Sequence, residues 1–133
     1  MFKKDKKLLY WEIKGQNFQD YRGTLTSFDS QASYAIQFVR FFVIHDLPVG
    51  AIRGGHAHRL AYQGFYMAQG SCTLSLSRGH NLVDVRISKK DSITVVPPLT
   101  FVEMRDFSEQ SVLVVFTTQD YKEEEYIFQS ELK

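Results

Sequence analysis

Several common features are scarce or missing in this 133-residue chain. It has one cysteine, Cys72, which excludes an internal disulfide and any cysteine-rich zinc site. A reduced, intracellular setting suits such a chain, and a cytoplasmic location is expected. No apolar run approaches the ~18 residues of a membrane-spanning helix. The basic start, MFKKDKKLLYWEIKG, lacks the apolar stretch of a signal peptide, so no membrane partner is expected. An excess of one charge is also missing. Lys plus Arg is 16 against 15 for Asp plus Glu, a formal net charge of +1, which gives no electrostatic case for nucleic acid. A small anionic substrate remains compatible, because it needs only one local basic site. Prolines number three, and there is no linker, repeat or low-complexity run, so a single domain over residues 1–133 is expected.

Aromatic residues, by contrast, are plentiful: 11 Phe, 7 Tyr and 1 Trp favour strands and apolar clefts. Period-two patterns dominate. Ile36, Phe38, Arg40, Phe42 and Ile44 share one face of an extended segment. Cys72 to Leu76 and Val83 to Ile87 alternate on either side of the turn Arg78-Gly79-His80-Asn81, which reads as a hairpin. Ile93 to Val96 reads as a strand stopped by Pro97-Pro98, and Val112 to Phe116 as a strand buried on both faces. A short helix is expected over Asp120 to Tyr126, with Lys122 to Glu125 as a solvated surface; Lys3 to Lys7 reads the same way. Many short strands joined by turns predict an all-β sandwich or barrel.

The chemistry-bearing stretch is Arg53-Gly54-Gly55-His56-Ala57-His58. Residues two apart on a strand face the same way, so His56 and His58 present two imidazoles to one cavity. The bland alternative is a pair of core histidines satisfied by backbone groups. Gly54 and Gly55 are read as serving backbone conformation. Gly50, His56, His58 and Gly70 fit the spacing of the first cupin motif. Gln63 stands where that motif has a metal-binding glutamate, and Val102 where the second motif has a histidine. An amide is a poor substitute for an anionic ligand and valine cannot ligate, so no metal is expected. Two unmetallated histidines suit proton transfer near neutral pH.

Beyond these residues the chain resembles the nucleotide-sugar 3,4-ketoisomerases, the WxcM-like cupins of bacterial deoxysugar biosynthesis. The resemblance runs from about Asp20 to Tyr126. It is carried by Asp20-Tyr21-Arg22-Gly23-Thr24-Leu25, by Arg40 ahead of an aromatic strand, by the Arg53 to His58 stretch with Gln63, by Gly70-Ser71-Cys72, by Pro97-Pro98, by Glu103 to Ser108, and by the tail from Tyr121 to Ile127. The resemblance implies a dimeric cupin jelly roll of antiparallel strands with little helix. It implies no cofactor and a dTDP-linked 4-keto-6-deoxy sugar as substrate, isomerised to the 3-keto sugar. It places His56 and His58 at the sugar as the catalytic pair. Substrate contacts are expected from Arg22, Arg40, Arg53, Tyr62, Gln63, Phe42 and Phe101.

The sequence departs from that family at three positions, of which Phe101, where tryptophan is common, keeps an aromatic surface and the other two lose a polar group. Phe42 stands where a tyrosine is usual, and Phe128 where an arginine commonly follows the Tyr-Ile pair. Tyr62 and Tyr66 lie near the motif as replacements for the missing hydroxyl. The alternative is a non-catalytic cupin that binds a sugar nucleotide or a partner protein. A metal-dependent oxygenase and a deoxysugar epimerase are the further rivals.

Overall fold

The computed structural model describes residues 9–29 and 36–128. Twelve strands form two five-stranded antiparallel sheets and a separate hairpin. In the first sheet the spatial order is β1 (Trp11–Lys14), β9 (Ser92–Val96), β6 (Gln63–Gln69), β11 (Val112–Thr117), β4 (Arg40–Ile44). In the second it is β12 (Tyr126–Phe128), β5 (Arg53–His58), β10 (Phe101–Arg105), β7 (Cys72–Arg78), β8 (Asn81–Ile87). The hairpin joins β2 (Gln16–Asp20) to β3 (Gly23–Ser27). Neighbours in a sheet are mostly not neighbours in sequence, as in a jelly roll, so the fold matches the all-β cupin expectation.

Alternation assigns the faces. On the first sheet, Ile44, Leu113 and Met67 lie side by side and enter the main core with Phe65 and Val115. From the second sheet they meet Cys72, Leu74, Leu76, Val102 and Met104. Burying each such side chain contributes roughly 1.5–3 kcal/mol. The opposite face of the first sheet carries a smaller cluster. There Ile13, Ile93 and Val95 are covered by Trp11, Phe28, Ile36, Phe38, Tyr62 and Tyr66.

Strand expectations hold at the hairpin of β7 and β8, where Gly79 in the turn has φ +59°, and at β9 before the double proline. Three readings are corrected. Strand β4 begins only at Arg40, and Ile36 and Phe38 cover the outer cluster while Phe42 and Ile44 face the main core. Strand β11 is fully buried on one face only; Val112, Val114 and Phe116 on the other are half-buried, with Phe116 against Phe38 and Phe41. The expected tail helix is a single 3₁₀ turn, Glu123–Glu125, because Tyr126 pairs with β5 as a strand instead. The basic run from Lys3 to Lys7 lies outside the described residues.

Strand β5 carries one irregularity. Val102 on β10 sits opposite His56, yet the next residue, Glu103, sits opposite Gly54, so Gly55 is left as a bulge. Gly54 and Gly55 both have φ +86°, a region that favours glycine. A Cβ on Gly54 would lie 2.7 Å from the Val102 carbonyl oxygen. The glycines therefore serve backbone conformation, as the sequence suggested.

Candidate active site

Going along the inner face of the first sheet, the rows change character. Ile44, Leu113 and Met67 form one row; Phe42, Val115, Phe65 and Thr94 the next; Arg40, Thr117, Gln63 and Val96 the last. The interior thus runs from hydrocarbon to polar within one strand length. The second sheet supplies the facing polar groups. His56 lies opposite inward-facing Val102, so both histidines of β5 point into the sandwich. Their rings are 5.2 Å apart.

Strand β12 closes over them. Tyr126 pairs with His58 and Phe128 with His56. The Tyr126 ring stacks on His56 at 4.3 Å, with 22° between the planes, and meets His58 edge-on at 4.9 Å. Tyr121 packs edge-on against Tyr126 at 5.8 Å. Sequence reasoning did not single out Tyr126 as a site residue. The signal was its place in the tail, but only the antiparallel pairing of β12 with β5 brings that tail to the histidines.

Arg40 completes the group. Its guanidinium carbon is 5.1 Å from the Phe42 ring and 5.8 Å from the Tyr121 ring, which is cation–π distance. No carboxylate pairs with it among the described residues. Glu103, the acidic partner that a structural reading would need, lies opposite Ser75 and lines a cavity on the outer face of the second sheet. The Arg40 Nε is buried without a hydrogen-bond partner among the described residues, and so are both ring nitrogens of His58. Unpaired buried polar atoms are costly, at about 1–3 kcal/mol each, and such atoms cluster where a ligand supplies the partner.

Burial lowers the proton affinity of both histidines. For His56, a hydrogen bond to the Gly54 backbone works the other way. His58, only 5% exposed, is pushed down to about 4, by burial first and then by the charges of His56 and Arg40. Both imidazoles are therefore neutral at neutral pH, with a lone pair free to take a proton.

The remaining expected contacts divide. Gln63 is buried on the inner face beside Thr117, in the row that carries Arg40. Arg53 lies opposite inward-facing Met104 because of the bulge, at the exposed end of β5. Tyr62 is a correction. It precedes β6 and packs against Trp11 in the outer cluster, and Tyr66 does the same against Phe28, so neither hydroxyl replaces the one missing at Phe42. Phe101 is a second correction. It sits opposite Ser77 on the outer face of β10, while its neighbour Val102 faces His56. There it lines a cavity of about 400 Å³ with Glu103 and Arg105. Arg22 sits at the tip of the separate hairpin, bonded to Asp20 at 2.6 Å and exposed, and is not joined to the histidine group within the described residues.

A metal does not fit this donor set. Val102, 2% exposed and opposite His56, offers only an isopropyl group, and Gln63 offers only an amide. No group of three His, Cys, Asp or Glu side chains converges among the described residues.

Comparison with known proteins places this arrangement. The family described as WxcM-like, C-terminal (FdtA) matches residues 10–131. The chain belongs to that family. One relative, the TDP-4-oxo-6-deoxy-alpha-D-glucose-3,4-oxoisomerase of Aneurinibacillus thermoaerophilus, is 30% identical over 121 residues, 89% of this chain and 87% of its own length. The sugar 3,4-ketoisomerase QdtA of Thermoanaerobacterium thermosaccharolyticum, solved with TDP, superposes with a TM-score of 0.84 at 25% identity, over 90% of this chain and 87% of its own. A 3,4-ketoisomerase from Helicobacter canadensis does so at 0.84 and 27% identity, over 92% of each chain.

Proposed function

We propose that this protein is a sugar-nucleotide 3,4-ketoisomerase acting on a TDP-linked 4-keto-6-deoxy sugar. The observation that carries the reading is a histidine pair, His58 buried and His56 half-buried, with rings 5.2 Å apart, beside an arginine that no carboxylate pairs among the described residues, in a family whose relatives are named for this reaction. The reaction moves a ketone from carbon 4 to carbon 3. A neutral imidazole of the pair takes the carbon-3 proton while the carbon-4 oxygen gains one, giving an enediol. Carbon 4 then receives a proton and the carbon-3 hydroxyl gives one up, so the hydrogens balance and nothing is oxidised overall. Arg40, which no carboxylate neutralises among the described residues, stabilises the charge developing on the enolate oxygen. Phe42 supplies no hydroxyl, so these groups and Gln63 carry the polar contacts. Binding of the nucleotide holds the sugar in place, away from the reacting carbons.

We also infer a homodimer. Among the described residues hairpin β2–β3 pairs with neither sheet, and its cross-strand partners Phe18 and Leu25 are 57% and 62% exposed. Unpaired strand edges with an apolar pair suit association with a second copy. No helix of the described residues is long and apolar enough to cross a membrane, and a cytoplasmic site of action fits a TDP-sugar substrate.

Proton NMR with TDP-4-keto-6-deoxyglucose in heavy water tests the activity. Loss of the carbon-3 proton signal with growth of a 3-keto product is expected. An unchanged spectrum from folded protein, with TDP still bound, would instead favour the non-catalytic binding reading. Sedimentation of the parent and of a Phe18→Ser, Leu25→Ser variant tests the dimer.

A further inference from the structure

Glu125 stands in the acidic run that the sequence reads as a solvated surface, yet it is only 8% exposed. Its Oε1 accepts hydrogen bonds from two successive backbone groups, the N–H of Leu60 and, at 3.0 Å, that of Ala61. Those amides belong to the turn by which the chain leaves β5, directly after His58. The backbone adds two more links. The Arg59 N–H donates to the Glu125 carbonyl at 2.8 Å, and the Arg59 Nε donates to the Glu124 carbonyl at 3.0 Å. Without the carboxylate, two backbone donors, the buried Ala61 N–H and the part-buried Leu60 N–H, would lose their acceptor.

The next residue along is Tyr126, whose ring covers His56 and touches His58. Among the described residues strand β12 spans three residues and pairs on one side alone, so that ladder holds it weakly. We propose that Glu125 is a positioning residue: it ties the end of the histidine strand to the tail and thereby fixes the Tyr126 ring over the catalytic pair. This rests on the isomerase reading for its effect on rate, but the placement of the ring is independent of it. Glu125 itself touches neither histidine in the contacts above and acts through Tyr126.

The test compares Glu125→Ala and Glu125→Gln in the full chain. Glutamine keeps the one oxygen that takes both bonds, so E125Q serves as the conservative rescue. In E125A, kcat is expected to fall about 10²-fold, the cost of roughly 1 Å of misplacement at a reacting pair. KM should stay within about threefold, because substrate binding is not what is lost. E125Q should recover most of kcat. A second readout needs no activity. The His56 ring protons beneath Tyr126 are expected upfield because of its ring current, and in E125A they should move toward free-imidazole positions, as they should in Tyr126→Leu. A folded E125A with parental kcat overturns the proposal, whatever the shifts do. If E125A does not fold, Glu125→Asp decides, because it draws the carboxylate back by one methylene: parental kcat with unmoved His56 signals overturns the proposal, while a reduced kcat with displaced His56 signals supports it. Should the parent itself fail to isomerise the substrate, the isomerase reading falls, and unmoved His56 shifts in the variant would separately sink the positioning claim.

Discussion

The two ends of the sandwich interior are built to opposite rules. At one end, Leu74, Leu113, Met67 and Ile44 fill the space with hydrocarbon. At the other, four residues along β4 and β6, Arg40 and Gln63 stand where alternation would also place apolar side chains, and His56 and His58 face the same interior from β5. There both His58 nitrogens and the Arg40 Nε are buried without partners among the described residues. The hydrocarbon end supplies stability and the polar end spends some of it, in keeping with a site that a substrate completes.

The sharpest way to break this comparison is to remove the chemistry from the polar end. His58→Asn and His56→Asn should each lower kcat by about 10²–10⁴, the usual worth of a general acid or base, with a melting temperature near that of the parent. Assay by NMR and calorimetry on the same samples checks both halves, and full activity in both variants would contradict the assignment. Truncation at the hydrocarbon end should do the reverse. Leu113→Ala is expected to cost about 2–5 kcal/mol in denaturant unfolding while kcat per folded molecule stays unchanged.

Between the two lies the bulge. Gly54→Ala meets both the Val102 carbonyl oxygen at 2.7 Å and a φ of +86°. It should cost about 1–3 kcal/mol of stability, from strain at a left-handed position, and lower kcat by shifting β5 against β10. A variant matching the parent in both unfolding and turnover would mean that the bulge yields freely.

The smallest expected effect is on the pH dependence of stability. The native proton affinity of His58 is pushed down to about 4, whereas an unfolded histidine titrates near ~6.5. Between those values the unfolded chain binds more protons than the native one, so stability falls as pH drops through that window and levels off below it. His58→Leu should remove this part of the slope. It should also raise stability at neutral pH slightly, since an unpartnered buried imidazole gives way to hydrocarbon. Thermal unfolding from pH 4 to pH 8 reads both, and a parental slope in the variant would assign the titration elsewhere.

The sequence made the strands legible wherever period two was clean, as in β7, β8 and β9. It misread the segment before Arg40, because Ile36 and Phe38 keep the alternation of β4 while covering a different cluster. A face cannot be told from a neighbouring one by period alone. The histidine pair and Arg40 were visible from spacing and from their apolar context. Tyr62 is expected at the site from its nearness to the motif and Phe101 from the family resemblance, and the fold carries both to outer faces. Tyr126 and Glu125 were the converse. They lie roughly seventy residues from the histidines in sequence, and only the antiparallel pairing of β12 with β5 brings them close. The acidic run also concealed Glu125, since its neighbours Glu123 and Glu124 are indeed exposed.

The unpaired Gly55 on β5 bears on how this strand tolerates changes of length. Arg53 and His56 are an odd number of residues apart, so on a regular strand they would face opposite ways. Losing a residue from a strand ordinarily turns one half of its side chains to the other face. Excision of Gly55 takes away the supernumerary residue itself and leaves Arg53, His56 and His58 with their present cross-strand partners. In this strand, shortening by one glycine should disturb the orientation of the site less than adding a single methyl group to the glycine beside it.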